Sequence, residues 1–245
     1  QWMRQIMVAA QVALTVLLVA GAGLFARSLA QIQNFQFGFD PRNLLVFTAS
    51  VAETGGPYEK EEARLAFFEQ VKSRLQALPG VRSVGQNYSL PLRPMWSTFF
   101  DVAGREPYRP GTEPTMEMGV IDSGYFQTLG LPILRGRNFD ATDTRASGPK
   151  LIIDERMANA IWPGEDPIGK AIYRGRAANR SVQERTPTEI IGVVPTIALD
   201  GIDGAPANQF QGYLPQSQAA FNELSFVLRT EVSPLSLEKS VRAAV

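Results

Sequence analysis

QIMVAAQVALTVLLVAGAGLFA, residues 5–26, lies between Arg4 and Arg27 and contains no charged side chain. At about 1.5 Å of rise per residue, a helix of these 22 residues is roughly 33 Å long, close to the ~30 Å hydrocarbon core of a bilayer. Gln11 and Thr15 are its only clearly polar side chains, and Trp2 stands where an interfacial aromatic anchor belongs. The run therefore reads as one transmembrane helix. Two readings compete with it. A signal peptide has a shorter apolar core, although Ala20-Gly21-Ala22 resembles a cleavage site; a buried helix of a soluble protein rarely needs so long an uncharged run.

Within the run, Ala9 and Ala13, then Ala22 and Ala26, repeat at small-xxx-small spacing and would let a second helix approach closely. Gly21-Ala22-Gly23 followed by Ala26 superficially matches a dinucleotide fingerprint, but no strand precedes it. The chain opens on Gln, which reads as a segment of something longer. Arg4 and Arg27 flank the span evenly, so charge alone gives no orientation.

Outward from the run the solvent changes. Residues 1–35 carry only Arg4 and Arg27, whereas the remainder of the 245 residues carries 22 basic and 24 acidic side chains. That remainder is long enough for one sizeable domain or two small ones. The chain has no Cys and no His, which excludes thiolate nucleophiles, disulfides, imidazole bases and N/S-ligated zinc. A net charge of zero offers no basic field for nucleic acid.

Phe35, Phe37 and Phe39 alternate after the run, at the membrane interface or packed on the domain as an extended connector, and Asp40-Pro41 marks a boundary. LLVFTASV (44–51) is apolar on both alternating faces, as a covered strand is. Pro57 fits a helix's first turn, acidic Glu59, Glu61 and Glu62 follow, and Leu65, Phe68, Val71, Leu75 and Leu78 recur at helical spacing before Pro79-Gly80. With a strand at 81–88 this predicts a β-α-β unit over 44–88. Farther on, Met116, Met118 and Val120 predict a half-exposed strand, and Ser123 a possible cap for a short helix ended by Gly130. Strands are expected at 150–154, 188–194 and 224–229, and helices at 155–162 and from about Ser236.

Four phrases behind an apolar helix ending GLFARSL carry a resemblance: SGYFQTLGLPILRGRNF (123–139), LIIDERMANAIWPGEDPIGKAI (151–172), EIIGVV (189–194) and YLP (213–215). Together they resemble the MacB-like periplasmic core domain of FtsX-type ABC transporter permeases, over nearly the whole chain. Matching positions are Tyr125, Phe126, Gly130, Gly136, Arg137, Phe139, Trp162, Pro163, Gly164, Asp166, Pro167, Gly169, Lys170, Gly192, Tyr213 and Pro215, which the resemblance makes architectural. The sequence departs from the pattern at Asp154, where Asn is common, at Pro195-Thr196, where a Gly/Asp turn is usual, and at RPMWSTFF (93–100).

The resemblance implies an α+β protein: one transmembrane helix and connector (1–35), a porter-like β-α-β module (36–91), a sabre-like inserted module (92–221), and a returning porter strand and helix (222–245). It further implies a non-catalytic permease subunit in the bacterial inner membrane, with its soluble domain periplasmic. Its partners would be a cytoplasmic ABC ATPase, a second permease copy, the bilayer and a periplasmic adaptor, and it would need no cofactor or metal. The competing functions are a membrane-anchored binding or adaptor module without transport, and a membrane-anchored hydrolase using carboxylates.

Three local patterns invite sharper chemistry. Gly164 to Ala171 has P-loop spacing, but Ala171 lacks the hydroxyl that binds Mg²⁺, Pro167 lacks a backbone donor, and Glu165 and Asp166 repel phosphate; a turn with local bonds from Asp166 or Lys170 is the simpler reading. Asp200-Gly-Ile-Asp203-Gly lacks EF-hand spacing and reads as turns. Asp140, Asp143, Asp154 and Glu155 could pair as acid and base, and Arg135 and Arg137 could bind an anion, yet loop carboxylates usually cap or are solvated. No catalytic, cofactor or metal residue is assigned.

Because the uncharged run exceeds a signal core, residues 5–26 are expected to remain attached to the mature protein. Mass spectrometry of membrane-extracted protein tests this, and a mature N-terminus near Gly23 would overturn it.

Overall fold

The computed structural model describes residues 1–33, 37–52, 54–90, 96–175, 186–198, 210–219 and 221–245. It forms two separate units, Gln1–Gln36 and Phe37–Val245. The first is helix α1 (Trp2–Gln33), of which Trp2–Ala30 is long and apolar enough to cross a membrane. Thr15 gives its hydroxyl hydrogen to the Gln11 carbonyl at 2.8 Å, so this polar group is satisfied without water.

Among the described residues, the second unit is built on ten strands. Its first part is a three-stranded antiparallel sheet of β1 (Leu44–Ser50), β2 (Val81–Asn87) and β10 (Glu223–Thr230). The late strand β10 lies between β1 and β2, pairing Leu44 with Arg229 on one side and Val84 with Leu228 on the other. The β-α-β unit therefore exists, but its two parallel strands are not neighbours. Helix α2 (Glu61–Gln76) buries Phe68, Val71 and Leu75 against this sheet. It starts later than Pro57 suggested, because Arg64 donates to the carbonyls of Tyr58 and Glu59 and holds the preceding residues in a turn. Helix α5 (Glu238–Ala244) adds Val241 to the same core.

The second part is a closed ring. Strand β4 (Thr115–Ile121) pairs antiparallel with β3 (Trp96–Val102), and β3 with β7 (Ala171–Arg174). Then β7 pairs with β8 (Thr188–Val194), which runs parallel to β6 (Lys150–Asp154). Strand β6 pairs with β9 (Phe210–Pro215), and β9 returns to β4 in parallel through six pairs from Met116–Phe210 to Ile121–Pro215. Six strands thus close into a barrel whose filling includes Phe100, Met116, Met118, Leu151, Ile172 and Leu214. Gly212 leaves room for that filling, since a methyl group there would lie 3.0 Å from the Met116 sulfur. Helix α4 (Glu155–Ile161) and Trp162 complete the same cluster.

Closure corrects one expectation: β4 is not half-exposed. Met116 through Ile121 are all buried, because β4 has β3 and β9 as neighbours, touches β2 through the Asn87–Ile121 pair, and carries the packed helix α3 (Tyr125–Leu129) just beyond its end. Ser123 is not the cap of α3 either. Gly124 holds that position, and the Ser123 carbonyl accepts from the Asn138 side chain instead. Gly130 ends α3 in the left-handed conformation, as expected. Phe39 packs into the core between α3 and the barrel, and its ring lies 5.9 Å from that of Phe37, so both belong to the domain's packing.

Two quoted phrases meet at one point. In β8 a bulge leaves Ile191 without a partner on β6, and its carbonyl turns toward β5 (Arg135–Gly136), where Gly136 pairs with Gly192. Gly136 has φ +72°, and a methyl group there would fall 2.1 Å from the Ile191 carbonyl oxygen. Gly136→Ala is expected to cost on the order of 2 kcal/mol or more through strain and clash. Phe68→Ala, at a site only 1% exposed, is expected to cost about 3–5 kcal/mol. Denaturant titration checks both, and a loss below about 1 kcal/mol for Phe68→Ala would mean the α2 face is misread.

Candidate functional site

The residues that hinted at chemistry prove to be committed to one another. Asp154 is the N-cap of α4: one carboxylate oxygen accepts from the Met157 N–H at 3.1 Å and from the Gln211 N–H at 3.1 Å, and the other from the Thr196 hydroxyl at 2.7 Å. Burial pushes its pKa up against the pull of these three donors. Asp154 and Thr196 are two of the departures from the family pattern, and here they bond to each other. Glu155 is exposed in the first turn of α4.

Arg137 and Asp143 form a two-pronged ion pair, with both hydrogen bonds at 2.7 Å, and Asp140 adds a longer contact at 3.3 Å. This fork, together with the N–H of Asp140, holds Asp143 below the usual carboxylate range despite its burial. Arg137 is therefore not free to receive an anion, and Arg135 makes only 3.5 Å contacts to Glu165 and Asn159. Asp140 and Asp143 share the Arg137 cation rather than a proton, and the Asp143 carboxylate also accepts from the Asp140 N–H.

The P-loop-like segment follows α4 and opens into strand β7, not a helix. Asp166 accepts from the Ile168 N–H at 3.1 Å, Lys170 pairs with Glu165, and Gly164 and Gly169 take left-handed φ values of +75° and +78°. This is the turn that the residue types suggested. Asp200 and Asp203 lie outside the described residues.

Sequence reasoning missed a cleft of about 370 Å³ between α2 and the barrel. Its walls include Leu65, Ile121, Phe139 and Pro215, with Lys72 and Asp122 paired at 2.5 Å and largely buried. Asp122 also accepts from the Gln86 N–H at 2.8 Å. Burial pulls the Lys72 ammonium down, but the Asp122 carboxylate outweighs this and holds it above the ordinary lysine value. The Gln216 side-chain oxygen is buried in the same wall without a partner among the described residues. The only sequence signal was Lys72 on the otherwise apolar-facing side of α2, and the partner Asp122 lies fifty residues later.

Among the described residues no group of three or more carboxylates, Cys or His could hold a metal ion. The chain thus combines an apolar helix with a barrel-bearing α+β domain in which the buried carboxylates Asp143 and Asp154 are tied up in structure. The chain belongs to the MacB-like periplasmic core domain family, whose model matches residues 7–244. It is 25% identical over 181 residues to the macrolide export ATP-binding/permease protein MacB of Bartonella quintana, covering 67% of this chain and 25% of that protein. The corresponding protein of Haemophilus ducreyi is 26% identical over 129 residues, 49% of this chain and 17% of its own. The chain thus spans a quarter or less of these relatives' length. In fold it is similar to the periplasmic region of MacB from Actinobacillus actinomycetemcomitans, with TM-score 0.51, 19% identity and 86% of each chain covered.

Because Asp143 has a lowered pKa when folded, its contribution to stability is present above the unfolded value of about 4 and is lost as pH falls through the folded value. Asp143→Asn is therefore expected to be less stable than wild type at neutral pH and to converge with it at lower pH. Urea titrations at a series of pH values check this, and parallel curves would overturn it.

Proposed function

We propose that the chain is the first membrane helix and periplasmic domain of a permease in an ABC-type exporter or mechanotransmission system. In this reading it catalyses nothing itself. A cytoplasmic ATPase supplies the energy, α1 crosses the inner membrane, and movement of α1 is converted into movement of the domain outside, driving efflux or extraction of a substrate. The observation that carries the reading is that the family match begins inside the apolar helix and continues through the domain to residue 244, so helix and domain belong to one family unit.

Other features support it. The chain has no His or Cys to activate a nucleophile, and the buried carboxylates Asp154 and Asp143 are occupied by structural donors. In this reading the three-stranded sheet with α2 and α5 is assigned to a porter-like module, residues 36–91 with 222–245, and the barrel to a sabre-like module, residues 92–221. A single helix cannot line a path, so further helices must join it, a second permease copy among them, with Ala9, Ala13, Ala22 and Ala26 as the face they pack on. A periplasmic adaptor is a further partner.

The test restores the complete permease and its ATPase in an efflux-deficient host and compares Ala13→Leu and Ala22→Leu with wild type for macrolide resistance. Both variants are expected to lose resistance while inserting normally. Two variants as resistant as wild type would overturn the packing face, and ATP hydrolysis by this chain alone would overturn the whole reading.

A further inference from the structure

Residues 37–43 lead into β1, and this connector is fastened to the rest of the domain at several points. The Phe37 carbonyl accepts from the Ala198 N–H at 3.0 Å. Gly38, at φ +80°, passes so close beneath the next turn that a methyl group there would lie 2.7 Å from the Thr196 carbonyl oxygen. Asp40 closes a turn on Arg42, accepting from its backbone N–H at 3.0 Å and from its guanidinium at 2.9 and 3.0 Å. Asn43 takes a positive φ of 53° and gives its carbonyl to the Thr230 N–H at 2.9 Å. A non-glycine residue in that region stores strain that its surroundings must hold.

One side chain gathers these turns. Arg229 sits on the central strand β10, and its side chain is 14% exposed. Its guanidinium donates to the Arg42 carbonyl at 2.6 Å, the Asp40 carbonyl at 3.0 Å and the Thr128 carbonyl at 3.1 Å. The first two belong to the connector and the third to the last turn of α3, where a cation also meets the negative end of the helix. Helix α3 in turn packs Phe126 edge-on against Tyr213 of β9, with ring centroids 5.0 Å apart, so the contacts run on into the barrel. Arginine suits this place because its planar, permanently charged fork serves three acceptors in fixed directions, which a lysine cannot do.

We propose that Arg229 is the joint that makes the connector one body with β10 and α3, so that displacement of α1 is passed to the domain instead of being absorbed by the connector. The proposal rests on the coupling reading given above, and Arg229 acts in it as a positioning residue.

The experiment uses the complete permease with its ATPase in nanodiscs, with and without ATP and vanadate, and reads hydrogen exchange by mass spectrometry together with ATP hydrolysis. In wild type the trapped nucleotide state is expected to change exchange in the connector and in α2. In Arg229→Gln, exchange at 37–44 should rise about tenfold, the nucleotide-dependent change in α2 should vanish, and hydrolysis should stay within about twofold of wild type. Arg229→Lys keeps the charge and should be intermediate, which covers the case of a glutamine variant that fails to fold. A wild-type nucleotide response in the variants would overturn the role of Arg229 alone. Equal loss of protection in β6 and β8 would reduce it to a fold stabiliser and overturn the proposal. A wild type with no nucleotide response beyond residue 37 would overturn the coupling reading itself.

Discussion

The parallel pairing of β4 with β9 is the constraint on which the rest of the domain depends. Without it the strands between Trp96 and Pro215 form an open sheet with two edges and one exposed face. With it they enclose an apolar interior that includes methionine, leucine, isoleucine and phenylalanine, and the edge problem disappears. Closure also fixes where the chain goes next. It delivers Ile121 and Asp122 to the edge of β2, turns α3 onto the back of the three-stranded sheet, and opens the cleft in which Lys72 meets Asp122.

Around that ring the polar groups behave as fasteners. Asp154 ties the start of α4, the backbone of β9 and the loop after β8 into one knot, and it can do so because a carboxylate accepts on both oxygens. An asparagine at the same position would present an N–H₂ toward one of these three donors. The threonine at 196 supplies the hydroxyl that donates to the second carboxylate oxygen of Asp154. Arg137 and Asp143 do similar work in the loop after β5, where the fork holds residues 137–143 in shape.

Much of this was legible in order and kind. The apolar run, the helix carrying Phe68 and Leu75, the strands at 150–154 and 188–194, and the left-handed stop at Gly130 all follow from local rules of periodicity and turn chemistry. The P-loop-like turn was also readable, because Pro167 and Ala171 argue against phosphate without any structure. What stayed hidden depends on partners distant in sequence. Met116, Met118 and Val120 alternate like a half-exposed strand, and nothing local says that Glu117 and Gly119 between them will also be covered. Neither Asp122 nor Arg229 stands in a motif; each acquires its role only when residues fifty to nearly two hundred positions away arrive beside it. Gly136 and Gly192 were visible as family positions, but only the close approach of β5 to β8 shows what a side chain would meet: the Ile191 carbonyl at Gly136 and the Arg137 carbonyl at Gly192.

The place of β10 has a consequence for biosynthesis. Strand β1 is made early, yet its only partner strand among the described residues is β10, about 180 residues later, so at roughly 5–20 residues per second it waits on the order of ten to forty seconds for a mate. All six barrel strands lie between Trp96 and Pro215 and are complete before β10 emerges. The barrel can therefore mature as an island while the uncharged strand LLVFTAS remains unpaired. A chain ordered in this way leaves the uncharged strand β1 unpaired for the longest time, which makes that interval the stage at which a chaperone would matter most.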